Sequence, residues 1–259
     1  MATIFRRRAI VFVRELMCTV SFLPNSNGFY VAMNRDEKRT RSSALPPEIV
    51  DLANRRALLP SETGGGTWIA TNDAGACFAL INWHRIKRKP PGVIISRGQV
   101  VATLAGKSST QEIAVALATL PLRQMRPFRL IAIISTEKKI TEWRWNLSRL
   151  SVRKHPWRLQ YWFSSGVDER RAEAERRHIC DSAQYQSAAG TLGWLRRLHR
   201  SHLPKRGPFS ICMHRGEAAT VSYTEVEVSA ERATMRYKSG PACSTGSTIT
   251  KTLPVPFGL

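Results

Sequence analysis

Cys18-Thr19-Val20-Ser21-Phe22-Leu23, Pro24-Asn25-Ser26-Asn27 and Gly28-Phe29-Tyr30-Val31-Ala32-Met33 form the stretch that decides the fold. Two short β-favouring runs flank four residues of dense turn chemistry, so the stretch reads as an antiparallel hairpin. With the turn centred near Ser26, Leu23 pairs with Phe29, and stepping outward puts Cys18 opposite Asn34. The charged run Asn34-Arg35-Asp36-Glu37 then lies beside Cys18 at the open end. A cation there stabilises thiolate and lowers a thiol pKa from about 8.5. A carboxylate there can hold an α-amine, whose own pKa is roughly 8. Neighbouring strand side chains point to opposite faces, so Arg35 and Asp36 serve one site only if the strand bends or ends there.

The amine matters because Cys18 directly follows Met17. A cysteine after a methionine can become a mature N-terminus, carrying a thiol and its own free amine as a built-in base. The plainer readings are a small buried cysteine on a strand and a solvated turn at the tetrad. Sixteen residues precede Met17, and while they stay attached Cys18 has no free amine. They hold Arg6-Arg7-Arg8 and a short apolar run, Ala9 to Val13, with no small-residue cleavage site after it, unlike a signal peptide. Residues 1–16 are therefore read as an extension. It is a wrongly chosen start (the preferred reading), a propeptide, or a retained arm of a non-catalytic protein.

At 259 residues the chain is ample for one sizeable core. Residues 17–240 are read as a single domain and 241–259, rich in Ser, Thr and Gly, as a loose tail. No stretch approaches the roughly 20 apolar residues of a spanning helix. The five scattered cysteines include no C-x-x-C pair, which argues for reduced thiols, a cytoplasmic home and no zinc-site spacing. The net charge of +21 suggests attraction to polyanions or phosphate-bearing small molecules. It is spread along the chain without a nucleic-acid motif, so solvated arginine faces are the main reading and no specific nucleic-acid partner is expected. The oligomeric state is not legible.

Further hairpins recur. Thr67–Thr71 and Ala76–Trp83 flank Asn72-Asp73-Ala74-Gly75, and Phe128–Ser135 pairs with Ile140–Asn146. Ile211–His214 pairs with Thr220–Val228, and Arg232–Lys238 closes that sheet. Helical spacing covers 98–105 and 110–120, the latter bracketed by Ser109 and Pro121, and recurs over 167–181 and 188–202. Strand pairs separated by helix pairs fit an α+β fold of two antiparallel sheets with helices outside.

Folding the second hairpin about Asp73-Ala74 puts Gly65 opposite Asn82. Gly65 and Gly66 would let substrate approach the backbone while Asn82 donates its amide to a developing oxyanion. A flexible loop and a structural Asn are the equal alternative. Trp68 and Trp83 adjoin these residues and could wall a pocket, whereas Trp143 and Trp145 share one strand face and read as core. His199 and His202, at i and i+3, make a weak metal pair; a phosphate-facing basic helix end is the next reading and an exposed helix face the main one. No metal and no cofactor are expected.

Met17-Cys18-Thr19, Asn34-Arg35-Asp36-Glu37, Gly65-Gly66-Thr67-Trp68, Ala79-Leu80-Ile81-Asn82-Trp83 and Ser96-Arg97-Gly98 occur in an order that resembles the NRDE family. That family is named for the tetrad, and its eukaryotic members are the transport and Golgi organisation protein two group. The resemblance runs from about Met17 to Tyr237. It implies a four-layer αββα sandwich of the N-terminal-nucleophile (Ntn) hydrolase type. Members are linked to lipid, acyl-CoA and haem handling. A more distant resemblance is to the cysteine Ntn amidases of bile-salt and penicillin amides. It implies catalytic roles for Cys18, Arg35, Asp36 and Asn82, and a late arginine near Arg215. Asn34, Glu37, Gly65, Gly66, Trp68, Trp83 and Arg215 complete the expected substrate-binding set.

Two functions follow. One is a cysteine hydrolase of a non-peptide acyl-amide bond. The other is a non-catalytic carrier gripping an anionic amphiphile such as acyl-CoA or haem, with Cys18 a possible iron ligand. Nucleic-acid binding through bulk charge ranks last.

Overall fold

A computed structural model describes residues 15–256. The opening hairpin is β1 (Glu15–Asn25) and β2 (Gly28–Lys38). Its turn is the two residues Ser26-Asn27, because Asn25 pairs with Gly28. The register is therefore one residue away from the sequence expectation: Leu23 pairs with Tyr30, and Cys18 with Arg35 rather than Asn34. A one-residue slip exchanges faces, so Cys18 and Arg35 become same-face neighbours. Gly28 is required at the turn because a Cβ there would drive into the Val228 carbonyl of the adjacent strand.

The remaining strands are β3 (Leu45–Leu52), β4 (Arg55–Ser61), β5 (Ile69–Asn72), β6 (Ala76–Asn82), β7 (Phe128–Ile134), β8 (Lys139–Trp145), β9 (Leu150–His155), β10 (Gln160–Gly166), β11 (Ala218–Ser229), β12 (Arg232–Ser239) and β13 (Ile249–Pro254). The helices are α1 (Gly98–Leu104), α2 (Thr110–Thr119), α3 (Glu169–Ala183) and α4 (Leu192–Arg200). One sheet has the order β10-β1-β2-β11-β12-β13 and the other β3-β4-β5-β6-β7-β8-β9. Every pairing between the named strands is antiparallel.

Three apolar layers hold this stack together. Val20, Phe22, Val31, Met33, Val226 and Met235 of the first sheet meet Leu58, Ile69, Ala79, Ile131 and Ile133 of the second. The opposite face of the second sheet packs Phe78, Leu80, Leu130, Trp143 and Trp145 against Val101, Leu104, Ile113 and Leu117 of α1 and α2. The opposite face of the first packs Ala32, Tyr161 and Phe163 against Ile179, Cys180, Trp194 and Leu198 of α3 and α4. The result is the expected αββα order. Strands covered on both faces need no polar alternation, which is why β6 and β7 are buried along their whole length. Arg129 Nη1 donates to the Phe163 carbonyl at 3.1 Å and so ties the two sheets together.

The helices begin where capping chemistry allows. Ser109 Oγ accepts the Glu112 N–H, and Glu112 in return accepts the Ser108 N–H. Asp168 and Thr191 cap α3 and α4 in the same way.

Two further sequence expectations change, and one hairpin was missed. Residues 211–214 form no strand: His214 makes only an isolated bridge to Ala219. Ser210 Oγ and the Ser201 carbonyl instead take up the Cys212 carbonyl and N–H. The tail read as loose supplies β13, whose residues pair with β12 and bury Leu253 in the inter-sheet core. The β3–β4 hairpin was not read because Pro46 and Pro47 interrupt β3 and its exposed stretch Glu48-Ile49-Val50-Asp51 shows no apolar alternation.

Candidate active site

The open end of β1–β2 faces the end of β6 and the start of α1 across a cleft of about 210 Å³. Cys18, Arg35, Asp36, Glu37, Trp68 and Asn82 all line it. A register shift between Glu15 and Cys18 lies just ahead of the cysteine, and another between Thr220 and Ser222 lies opposite Asp36 and Arg35. The second is a bulge that inserts Val221 into β11 beside this end of β2.

Cys18 is buried, and its N–H donates to Ser164 Oγ at 3.0 Å. Burial and the nearby Asp36 push the thiol up to about 12, against the Asp36 N–H and the Arg35 guanidinium, which favour thiolate. Arg35 therefore acts in the expected direction and is outweighed. Part of the reason lies in its partners. Its guanidinium sits 2.7 Å from Glu62 and 3.2 Å from Glu37, and 4.5 Å above the Trp68 ring. Arg41 closes the ring of charges, at 2.9 Å from Glu37 and 2.6 Å from Glu62.

Asp36 lies on the helix-facing side of β2. Its Oδ1 accepts from Thr220 Oγ1 at 2.6 Å, while Oδ2 has no hydrogen-bond partner and lies 3.5 Å from Arg176 Nη2. Burial raises this carboxyl to about 7 in spite of Arg176 and Thr220, which favour the charged form.

Arg176 is a functional candidate that the sequence reading missed. Fully buried on α3, it donates from Nη1 to Thr19 Oγ1 at 2.8 Å and to the Cys18 carbonyl at 3.4 Å. The signal was available: Ala172, Arg176, Ile179, Cys180 and Ala183 share helical spacing, which puts an arginine on the apolar face. Ser164, the partner of the Cys18 N–H, was missed because β10 was not read as a strand.

Other expected residues lie elsewhere. Asn34 is fully buried outside the cleft, its Nδ2 donating to the His199 and Ile211 carbonyls at 2.9 and 2.8 Å. Its Oδ1 then accepts from His199 Nδ1–H at 3.2 Å, leaving His199 Nε2 to accept from Ser21 Oγ at 2.9 Å. His199 is thus a buried neutral ring, its pKa lowered to about 3 by burial and by Arg176. The exposed helix end expected of it is not what the fold makes.

Gly65 sits in the turn after β4 at φ +78°, with Gly65 N–H donating to the Glu62 carbonyl at 2.8 Å. Gly66 packs against Gly98. Neither glycine lines the cleft, and the β5–β6 register aligns Ile69 with Ala79, one residue from the expected pairing. Trp83 lines a neighbouring cleft of about 420 Å³ with Lys87, Arg88, Lys89 and Arg126. Arg215 lines neither cleft.

The sequence matches the family described as Transport and Golgi organisation 2 over residues 17–166, more than half of the chain. The chain belongs to that family. No curated protein matches it in sequence. Among solved structures, a mutant conjugated bile acid hydrolase from Clostridium perfringens is similar at TM-score 0.54 and 9% identity, over 91% of this chain and 92% of that one. A second variant of the same hydrolase matches at TM-score 0.54 and 10% identity, over 93% and 98%. Penicillin V acylase from Agrobacterium tumefaciens matches at TM-score 0.50 and 9% identity, over 86% and 82%. At such identities the likeness establishes the Ntn-hydrolase-like fold of this family member and nothing about its chemistry. Among its described residues no helix is long and apolar enough to cross a membrane.

Proposed function

We propose that this chain is a cysteine N-terminal-nucleophile hydrolase acting on a non-peptide acyl-amide bond, once Cys18 is the first residue. The observation that carries this reading is the meeting of Cys18, Arg35, Asp36 and Asn82 in one cleft, beside a buried carboxylate oxygen of Asp36 that has no hydrogen-bond partner. A free Cys18 amine would bring a hydrogen-bond donor of the kind that this oxygen, ion-paired with Arg176 at 3.5 Å, lacks, and Ser164 Oγ already receives the Cys18 nitrogen.

The thiol passes its proton to its own amine, and the sulfur attacks the amide carbonyl to give a tetrahedral adduct. The Asn82 amide and a backbone N–H hold the oxyanion. Collapse breaks the C–N bond, and the leaving amine takes the proton from the ammonium. Water then hydrolyses the thioester to release the acid. Arg35, held by Glu37 and Glu62, faces the cleft as an anchor for substrate charge.

The test is a chain engineered to begin Met17-Cys18, with the methionine trimmed, assayed on a panel of acyl amides. Turnover by that chain, with a Cys18-linked acyl adduct by mass and neither signal in Cys18→Ala, is the expected result. No turnover and no adduct on any acyl amide would reject the hydrolase. The intact mass of protein made from its natural gene, starting at Met1, Met17 or Cys18, tests the processing step directly.

The basic cleft beside the site favours one other reading, a carrier of an anionic amphiphile such as acyl-CoA or haem. Lys87, Arg88 and Lys89 line it together with Trp83 and Ile86. A carrier binds such ligands with an affinity that Lys87→Glu/Lys89→Glu abolishes and Cys18→Ala leaves unchanged.

A further inference from the structure

His202 lies just after α4, Cys212 and His214 lie on the loop entering β11, and Cys243 lies after β12. The fold gathers these four, and their donor atoms all lie within 4.8 Å of one another. His214 Nε2 is the hub. It is 3.2 Å from His202 Nε2, 3.3 Å from Cys243 Sγ and 3.6 Å from Cys212 Sγ. A ring nitrogen has one in-plane lone pair or one proton, so hydrogen bonding can satisfy only one of the three.

A cation at the centre satisfies all of them. With about 2.0–2.1 Å to nitrogen and about 2.3 Å to sulfur, a tetrahedral ion holds its donors roughly 3.3–3.8 Å apart. The separations around His214 are of that size. We propose that His202, Cys212, His214 and Cys243 form a four-ligand site for a zinc-class metal ion. Two thiolates and two imidazoles are borderline-soft donors, suited to zinc and unsuited to magnesium or calcium. Four protein ligands leave no open position, so the role is structural.

Coordination through Nε2 places the His214 proton on Nδ1, 3.3 Å from Arg206 Nη2. Arg206 is exposed, and binding of the ion requires its guanidinium to turn outward.

The location gives the site a purpose. It pins residues 202–214, which contain no helix or strand, to the chain leaving β12. Within that loop, Met213 donates its N–H to Thr220 Oγ1 and accepts the Thr220 N–H, both at 2.9 Å. Thr220 Oγ1 in turn donates to Asp36 Oδ1 at 2.6 Å. The ion therefore braces, from behind, the threonine that orients Asp36. Sequence spacing concealed the site because three of its ligands spread over thirteen residues of one loop and the fourth comes from another loop. The expectation of no metal rested on scattered cysteines without zinc-site spacing and on the weakness of His199 and His202 as a metal pair.

The test uses the full chain, purified with reductant from zinc-supplemented cells, desalted and assayed for metal by mass spectrometry. About one zinc per chain is expected in wild type and in Cys18→Ala, and less than about a tenth in Cys212→Ser/Cys243→Ser. Cobalt(II) in place of zinc should give the intense visible bands of tetrahedral thiolate coordination, lost in the same double variant. Should that variant fail to fold, wild type stripped by chelator is titrated with zinc alone. Uptake at about one equivalent, with a rise in Tm, supports the site. Two results would overturn it: stripped, reduced and folded wild type that takes up no zinc, or a folded double variant that keeps its metal undiminished.

Discussion

Cys18 sets the terms at the scale of single residues. With its amide in the chain, burial and Asp36 hold the thiol near 12, so the thiolate at neutral pH is about 10³-fold scarcer than for a free cysteine at about 8.5. Iodoacetamide should therefore label Cys18 at least about 10²-fold more slowly than a peptide thiol. Labelling at the peptide rate, read by peptide mass, would contradict that environment. Arg176 is the second residue to test. It is the charge facing the unpaired Asp36 oxygen, and removing one member of a buried pair costs roughly 3–5 kcal/mol. Arg176→Met should lower the unfolding free energy in urea by that order, and a loss under about 1 kcal/mol would mean that the pair contributes little. For the reaction, Asn82→Ala should lower kcat by roughly 10²–10³, the usual cost of one oxyanion donor. The role of Asn82 fails if the loss is under tenfold.

Elements were legible where turn or cap chemistry was local. Ser109 before α2 was readable because the cap lies within three residues of the N–H it accepts. Ser109→Ala should cost about 1 kcal/mol, measurable as a shift of the urea midpoint without a change in slope. The β1–β2 hairpin was equally readable, but its register was not, since Pro24-Asn25-Ser26-Asn27 allows turns centred half a residue apart. What fixes the register is β11 alongside: Gly28 must pass the Val228 carbonyl, which leaves no room for a Cβ. Gly28→Ala should destabilise more than Ser26→Ala, by upwards of about 2 kcal/mol, and equal effects would remove the close approach as the cause. Strands β3, β9 and β13 escaped notice for one common reason. They are edges or near-edges, exposed and charged, so periodicity carries little signal in them.

At the scale of the whole molecule, two buried groups pull the pH dependence of stability in opposite directions. His199 is held neutral with its pKa near 3, against an ordinary value of 6.5. Between those pH values the unfolded chain binds the extra proton, so stability is full above about 6.5 and falls as pH drops toward 3. One such ring accounts for on the order of 3–5 kcal/mol across that window. Glu142 adds to the loss lower down. Burial works against its charge, yet His155, Arg129 and Arg144 outweigh it and hold the carboxyl well below the usual range. Asp36 opposes this loss: its carboxyl, raised to about 7, takes a proton in the folded chain first and gains stability over nearly the same window. The readout is therefore the difference between variants: the gap in urea midpoint between wild type and His199→Gln should narrow as pH falls from 7.5 to 4, and a gap independent of pH would contradict a buried neutral imidazole.

The sequence by itself determined the alternation of strand pairs and helix pairs, hence the layered α+β fold, and it brought Cys18 next to the charged tetrad, because both follow from contacts a few residues apart. Only the tertiary structure decided which atoms meet there. Arg176 reaches Cys18 and Asp36 from a helix some 150 residues away in sequence, as the buried ion pair and hydrogen bonds record. His202, Cys212, His214 and Cys243 converge from two loops. Such meetings depend on how sheets and helices stack, and burial, which sets the thiol and imidazole pKa values, exists only once they have stacked.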